Sequence, residues 1–403
     1  MSKVKIDQVK SQIISDSRGQ DTIEVAFISN KRHVIASVPS GKSTGTYEAK
    51  SVSAEQAVKN ITTLADKITK QEFANIKEFD NFLLEADGTK DKSNFGANTT
   101  LALSIAFARL LSREQGVPLY QTLGEAAGVA KPGFPQFFCN LINGGLHVDK
   151  ALNPLPVQEY LVIPQTDSPQ KSLELVLQFV GVLGQMVKKY QNDLVQGDEG
   201  GFVVSGDDFD LGVQILEETL QSTQMGEQIK FGLDIASSSL WNKEEQKYIW
   251  RNKVWTVDEL FFKYQVFKQN YPLISIEDPF DEDAYVDWHK VVDSLEGVWV
   301  VGDDLTVTNI ERIKEAQEKQ AANAVIIKPN QIGTVSETLA AVNLAKSYGW
   351  KIIVSHRSGE TEDDFIADLA YGVAADGLKA GSPLQHQRLV KYQRLIEIEE
   401  SLK

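Results

Sequence analysis

Cysteine is almost absent from this sequence: Cys139 is the only one in 403 residues. No intrachain disulfide can form, which predicts a chain suited to a reducing compartment. Positive charge is also short. Only 41 Lys and Arg stand against 56 Asp and Glu, a net charge of −15, which argues against nucleic acid or a membrane surface as partner. No apolar run approaches the ~18 residues of a membrane span, and the opening "MSKVKIDQVKSQIISD" has no apolar core of the kind a secretory signal needs. These absences together predict a soluble, cytoplasmic chain. What is present is ordinary for a globular enzyme: 42% hydrophobic and 24% charged residues, in a length that favours two domains.

One further absence decides how "VPSGKSTGTYEAK", residues 38–50, is read. Its Gly-Lys-Ser-Thr core invites a nucleotide-binding P-loop. That pattern needs a glycine five places before Gly41, and Ala36 stands there. Nor does Thr44-Gly45-Thr46-Tyr47 open like a helix. The stretch reads as a flexible loop.

Residues 4–39 read as a β-meander, because "DTIEVAFIS" and "RHVIASV" alternate apolar and polar residues around an Asn30-Lys31 turn. From residue 53 the period becomes helical, through "SAEQAVKNITTLADKITK" and "GANTTLALSIAFARLLSREQG". In the latter, Ala97, Ala102, Ala106 and Ala108 would let neighbouring helices approach closely. The Gly/Pro cluster in "EAAGVAKPGFPQ" marks a boundary, giving an N-terminal α+β cap domain over 1–130 and a second domain over 131–403.

In the second domain short apolar runs recur, each ending in an ionisable residue. "IKFGLD" ends at Asp234, "LISIE" at Glu277, "VWVVGD" at Asp303, "AVIIK" at Lys328, "KIIVSH" at His356 and "GLK" at Lys379. After a longer first interval they lie about 25 residues apart, room for a strand, a loop, a helix and a return. Buried strands alternating with helices mean a parallel sheet covered on both faces. An open doubly wound sheet would give the same alternation. The run of charged ends favours a (β/α)₈ TIM barrel, whose strand ends converge on one mouth. The long first interval, "SSSLWNKEEQKYIWRNKVWTV", reads as an extra pair of strands.

Asp234, Glu277 and Asp303 would repel one another if left alone. A hard divalent cation removes the conflict, and all-oxygen ligation favours Mg²⁺. A lysine beside bound cations, Lys328 or Lys379, could fall toward a pKa of roughly 7–8 and act as a general base. Asp198-Glu199 in "QGDEGG" puts a carboxyl pair on a glycine loop, suited to a general acid. "SHRSGETEDD" adds His356, Arg357 and Ser358, and a guanidinium suits a phosphate or carboxylate fork. Beyond it Thr361 reads as a helix cap with Glu362, Asp363 and Asp364 in the first turn. Asp281, Glu282 and Asp283 read as solvated loop charge. Metal-held carboxylate, lysine base and poised acid describe proton abstraction beside a carboxylate, then loss of hydroxide. A Lys or His base with one or two Mg²⁺ is the known pattern of the enolase superfamily.

At this point the sequence resembles the enolase family along nearly its whole length, from "DSRGQDTIEV" to "KYQRLIEIEE". The segments "VPSGKSTGTYEA", "NLINGG", "QEYLVIP", "GDEGG", "GLDIASS", "SIEDPF", "DDLTVTN", "NQIGT" and "VSHRSGETED" carry it. The resemblance implies an α/β fold: an N-terminal α+β cap followed by an enolase-type (β/α)₈ TIM barrel with a ββαα start. It implies a lyase that dehydrates 2-phosphoglycerate in glycolysis with two Mg²⁺ ions, and a homodimer. Matched motif by motif, Asp234, Glu277 and Asp303 resemble the ligands of the first ion, and Ser43, on a mobile lid, that of the second. Lys328 resembles the base, and Glu199, helped by Glu159, the acid. Lys379 would hold the substrate carboxylate, Arg357 and Ser358 its phosphate. His147, His356 and Gln158 would line the pocket.

The resemblance departs at three places. Lys42 stands where the lid usually has alanine. "VDKALNPLPVQE" puts Glu159 twelve residues after His147, where nine are usual. "DSRGQDT" replaces the usual Asn-Pro. The residues of the family's intersubunit ion pair are also replaced, by Gln12 and Gln387. Two rivals remain for comparison. A racemase or cycloisomerase of the same superfamily would keep the three acids but not the lid, the acid loop and the Ser-His-Arg-Ser clamp together. A binding role through the terminal Lys403 is the other.

Overall fold

The computed structural model describes residues 3–30, 32–42 and 45–403; Ser43 and Lys31 lie outside them. The meander consists of β1 (Gln8–Ser15), β2 (Asp21–Ser29) and β3 (Arg32–Ser37), antiparallel and in the order β1-β2-β3. Alternation along β2 sends Ile23, Val25 and Phe27 inward, all fully buried. Four helices follow: α1 (Ala54–Ile68), α2 (Ile76–Asp87), α3 (Ala97–Gln115) and α4 (Leu119–Ala127). Ser53 caps α1 by accepting from Gln56 N, and Ala57, Ile61, Leu64 and Ile68 then recur on its buried face. The buried alanines of α3 let it lie close to β2 and β3. The Phe79 and Phe107 rings stack 4.4 Å apart between α2 and α3.

The second domain is a closed eight-stranded barrel. Its strands are β4 (Gln136–Asn143), β5 (Glu159–Pro164), β6 (Ile229–Asp234), β7 (Leu273–Glu277), β8 (Trp299–Gly302), β9 (Ala324–Ile327), β10 (Lys351–Ser355) and β11 (Gly377–Lys379). They pair in chain order, and β11 returns to β4 through Gly377↔Gln136 and Lys379↔Phe138. All are parallel except β5, which runs against both β4 and β6. The 144–158 segment holds no helix long enough to carry the chain back across the barrel, so β5 returns antiparallel. Helices α5 (Pro169–Tyr190) and α6 (Leu211–Gln221) then precede β6, giving a ββαα start.

Two local expectations need correction. The insertion after β6 forms three antiparallel strands, Trp241–Asn242, Lys247–Trp250 and Lys253–Trp255, not two. And Thr361 does not cap a helix. The helix there is Phe365–Gly372, with no side-chain cap. Asp363 and Asp364 bind Arg109 of α3 instead, at 2.6, 2.8 and 2.7 Å, while Asp363 also accepts from Ser37 N at 2.9 Å. These acids tie the barrel to the cap domain through charge-assisted bonds, and Asp363 Oδ1 still accepts from Phe365 N, at the start of the helix, at 2.9 Å.

Candidate active site

Register sets the site. Asn143↔Glu159, Glu159↔Asp234 and Asp234↔Glu277 are aligned across β4, β5, β6 and β7. Three carboxylates therefore stand side by side at one mouth, with Glu159 contributed by the first residue of the reversed strand. Lys379 ends β11, and Asp303, Lys328 and His356 each follow the last residue of their strand. They surround a cavity of about 50 Å³, also lined by His147, Gln158, Glu199, Arg357 and Ser358. Glu277 is not in the lining but reaches Lys379, which is.

The Lys379 ammonium is the centre of the cluster, at 2.9 Å from Asp234 Oδ2, 2.8 Å from Glu277 Oε2 and 3.2 Å from Glu159 Oε1. Asp303 is drawn aside: Lys328 Nζ donates to its Oδ2, and Gln331 Nε2 to its Oδ1 at 3.0 Å. The acids predicted as one metal set are thus split between two lysines. Burial, with Asp234 beside it, pushes the Glu277 carboxyl well up. Its Oε1 is buried without a partner. Burial disfavours the Lys328 ammonium, but the Asp303 carboxylate prevails and holds its pKa above the ordinary lysine value. The fall toward neutrality expected of a lysine beside bound cations is a separate matter, since here the carboxylate pairs with the lysine itself.

Glu159 and Glu199 face each other through His147, whose Nδ1 is 3.5 Å from Glu159 Oε1 and 3.4 Å from Glu199 Oε1. The longer loop after His147 is taken up by a short 3₁₀ turn, Lys150–Leu152, and a left-handed Asn153. Burial and the charge on Glu199 push the Glu159 carboxyl well up. Burial acts in the same direction on Glu199, but His147, His356 and Arg388 together pull it well below the usual range. The two carboxyls are thus pushed in opposite directions, Glu159 upward and Glu199 downward.

Arg357 is buried and makes a two-point ion pair with Glu48, at 3.0 and 3.2 Å, and a 3.0 Å hydrogen bond to Asn330. Ser358 Oγ accepts from Lys42 N at 2.8 Å. The 281–283 acids are not simply solvated: Thr46 Oγ1 donates to Glu282 at 2.9 Å, and Arg312 reaches Asp283 at 3.2 Å. Gln158 lines the cavity and is anchored through its backbone N–H to Asp234 O at 3.1 Å. Gln12 is committed within its own chain, donating to Glu24 at 2.7 Å.

Several participants escape a sequence reading. Asn140 donates to Glu199 Oε2 at 2.9 Å. Asp278, beside Glu277, accepts from both Asp303 N and Asp304 N. Thr308 ties Lys328 N to Gln331. Asp278 and Asp304 adjoin predicted ligands, so proximity in "SIEDPF" and "DDLTV" was a usable signal. Arg388, on an ordinary amphipathic helix, gave none.

Two family models match the chain: the enolase N-terminal domain over residues 6–123 and the enolase C-terminal TIM barrel domain over residues 132–403. The chain belongs to the enolase family. In this enolase-family mouth, two groups of described residues bring ligand atoms within 4.8 Å of one another: His147, Glu159 and Glu199, and Asp278, Asp303 and Asp304. Carboxylates outnumber cations around the cavity, and the orphaned Glu277 Oε1 is an oxygen donor awaiting a partner. The acidic residues suit a hard metal ion. Among the described residues no helix is long and apolar enough to cross a membrane.

Proposed function

We propose that the protein is a phosphopyruvate hydratase, a hydro-lyase that reversibly converts 2-phospho-D-glycerate to phosphoenolpyruvate and water. The observation that carries this reading is one buried cavity lined by both Lys328 and the Glu159–Glu199 pair, a base and a proton donor at a single site. Arg357, held in place by Glu48, and Ser358 offer donors for the substrate phosphate. Lys379 offers its ammonium to the carboxylate. Lys328 Nζ, once neutral, takes the proton from carbon 2. The C3–O bond then breaks, its electron pair leaving with the oxygen, and a carboxylic acid of the Glu159–Glu199 pair delivers a proton so that water departs. The electron pair from the C2–H bond becomes the new C2=C3 bond. His147 bridges the two carboxylates and lets the proton reach either. His356 and Gln158 line the space.

Asp234, Glu277 and Asp303 would hold one Mg²⁺ and Ser43 a second. Bound there, the ions would supply the positive charge that the developing enolate and the substrate carboxylate need. Their charge on Asp303 would also weaken its hold on Lys328 and so favour the neutral amine. The same reading makes the protein a cytoplasmic glycolytic and gluconeogenic enzyme and a homodimer. The test is the absorbance of phosphoenolpyruvate formed from 2-phosphoglycerate. Product that appears with Mg²⁺ and not after chelation supports the reading; no product at any Mg²⁺ concentration contradicts it.

A further inference from the structure

We propose that Arg388 is a positioning residue that fixes His356 as its Nε2–H tautomer, with that N–H turned toward Glu199. Arg388 lies in the C-terminal helix His386–Ser401 and is completely buried. Among the described residues no carboxylate lies within ion-pair distance of it. Its donors go to neutral acceptors instead: Gln385 Oε1 at 2.8 Å, Ser358 O at 2.8 Å, Asp198 O at 3.2 Å, Arg357 O, and His356 Nδ1 at 2.6 Å. A buried charge with no directly paired carboxylate costs stability, and Glu199 feels this one only at longer range, so packing alone does not account for an arginine here.

The tautomer follows from the inventory of donors. A guanidinium cannot accept a hydrogen bond and does not lose its proton. At 2.6 Å the Nδ1 atom must therefore be the acceptor, and the ring proton of a neutral imidazole must sit on Nε2. That atom is buried, has no hydrogen-bond partner, and stands 3.4 Å from Glu199 Oε1. A donor is thus left free beside the carboxylate, where an oxygen leaving a substrate could use it. Burial, with the nearby Arg388 charge, also keeps the imidazole neutral, against the pull of Glu199.

Gly381 shows how tightly the three groups are set. Its φ is +81°, and a Cβ there would lie 3.0 Å from each of Arg388 Cδ, Glu199 O and His356 Cε1. No side chain can stand between them. Arg388 also clasps the carbonyls of 198, 357 and 358, so the acid loop and the phosphate clamp are held by the group that orients the imidazole.

The inference rests on the reading that Glu199 serves the departing hydroxyl, and its test is separable from that reading. ¹⁵N-histidine NMR of the resting protein, with His356 assigned by difference against His356→Gln, reads the tautomer without substrate. The expected result is a protonated Nε2 and a pyridine-like Nδ1. In Arg388→Met the tautomer signal should shift toward Nδ1–H. There kcat should fall on the order of 10²-fold, with KM changed by less than about threefold. Arg388→Lys, which keeps a donor for Nδ1, should retain Nε2–H and recover most of kcat. Wild-type His356 protonated on Nδ1 overturns the proposal even if Arg388→Met fails to fold. So does an Arg388→Met protein that loses kcat while His356 stays Nε2–H. Failure to turn over 2-phosphoglycerate would instead strike the functional reading and leave the tautomer result intact.

Discussion

Lys42 Nζ lies 2.8 Å from Asp198 Oδ2, joining the loop that carries the altered lid residue to the glycine loop that carries Glu199. The side chains are 39% and 24% exposed, so the pair is wet and screened. Such pairs contribute about 0–1 kcal/mol, and exposed charges are screened within about 8 Å at physiological ionic strength. Lys42→Ala should raise KM at low salt by no more than roughly fivefold, the equivalent of that energy. The gap should close as salt is added. Parallel salt dependences of KM in the two proteins would rule out a latch.

Lys328→Ala should lose turnover while still binding substrate. Nζ is only partly exposed and pairs within the site, so its removal takes away a base and not a structural strut. A base acts in the transition state, and the loss belongs in kcat, on the order of 10²–10⁴-fold. Calorimetric binding with Mg²⁺ present checks the second half. Normal kcat with a raised KM would assign the residue to binding.

Asp80 of α2 gives a pH dependence far from the chemistry. It is fully buried, accepts from Ser336 N at 2.7 Å, and has an unpartnered Oδ1. Burial pushes its carboxyl up to about 6 from 3.8. The folded state therefore holds the proton more tightly than the unfolded chain does. The cost of ionising it is absent below pH 3.8, grows between 3.8 and about 6, and is complete above that. The shift corresponds to a penalty on the order of 3 kcal/mol at neutral pH. Asp80→Asn should flatten the fall in stability across this window, measured by urea unfolding at a series of pH values. An unchanged slope would exclude Asp80 as its source.

The dimer expected of an enolase-family protein should resist salt. If, as the resemblance implies, Gln12 and Gln387 take the places of an intersubunit ion pair, both are neutral there, and Gln12 donates to Glu24 of its own chain. Sedimentation should show one dimer across a wide salt range, because no intersubunit charge pair at these positions is there to be screened. Dissociation that steepens with salt would contradict this.

Six of the eight barrel strands were legible because each is a short apolar run closed by one ionisable residue, a purely local pattern; β4, which ends at Asn143, and β5, which begins with Glu159, lack it. The mouth followed from the barrel, since strand ends must converge. What stayed hidden depends on distant partners. Asp363 reads as a helix-start acid, and nothing local shows that it also pairs with Arg109, 254 residues earlier in the chain. Glu48 and Arg357, 309 residues apart, give no local sign of pairing. The Lys328 protonation state depends on the Asp303 carboxylate that pairs with its Nζ, and composition cannot convey that contact. Arg388 sits at a helical position where any inward apolar residue would satisfy the periodicity.

The central claim is that Lys328 and the Glu159–Glu199 pair divide the proton transfers between them, and deuterium exchange at carbon 2 of 2-phosphoglycerate in D₂O with Mg²⁺ tests it most directly. Glu199→Gln should continue to exchange that hydrogen while forming almost no phosphoenolpyruvate, because the base survives and delivery of the proton to the leaving oxygen does not. Lys328→Ala should lose exchange and product together. Exchange at the wild-type rate in Lys328→Ala would contradict the account.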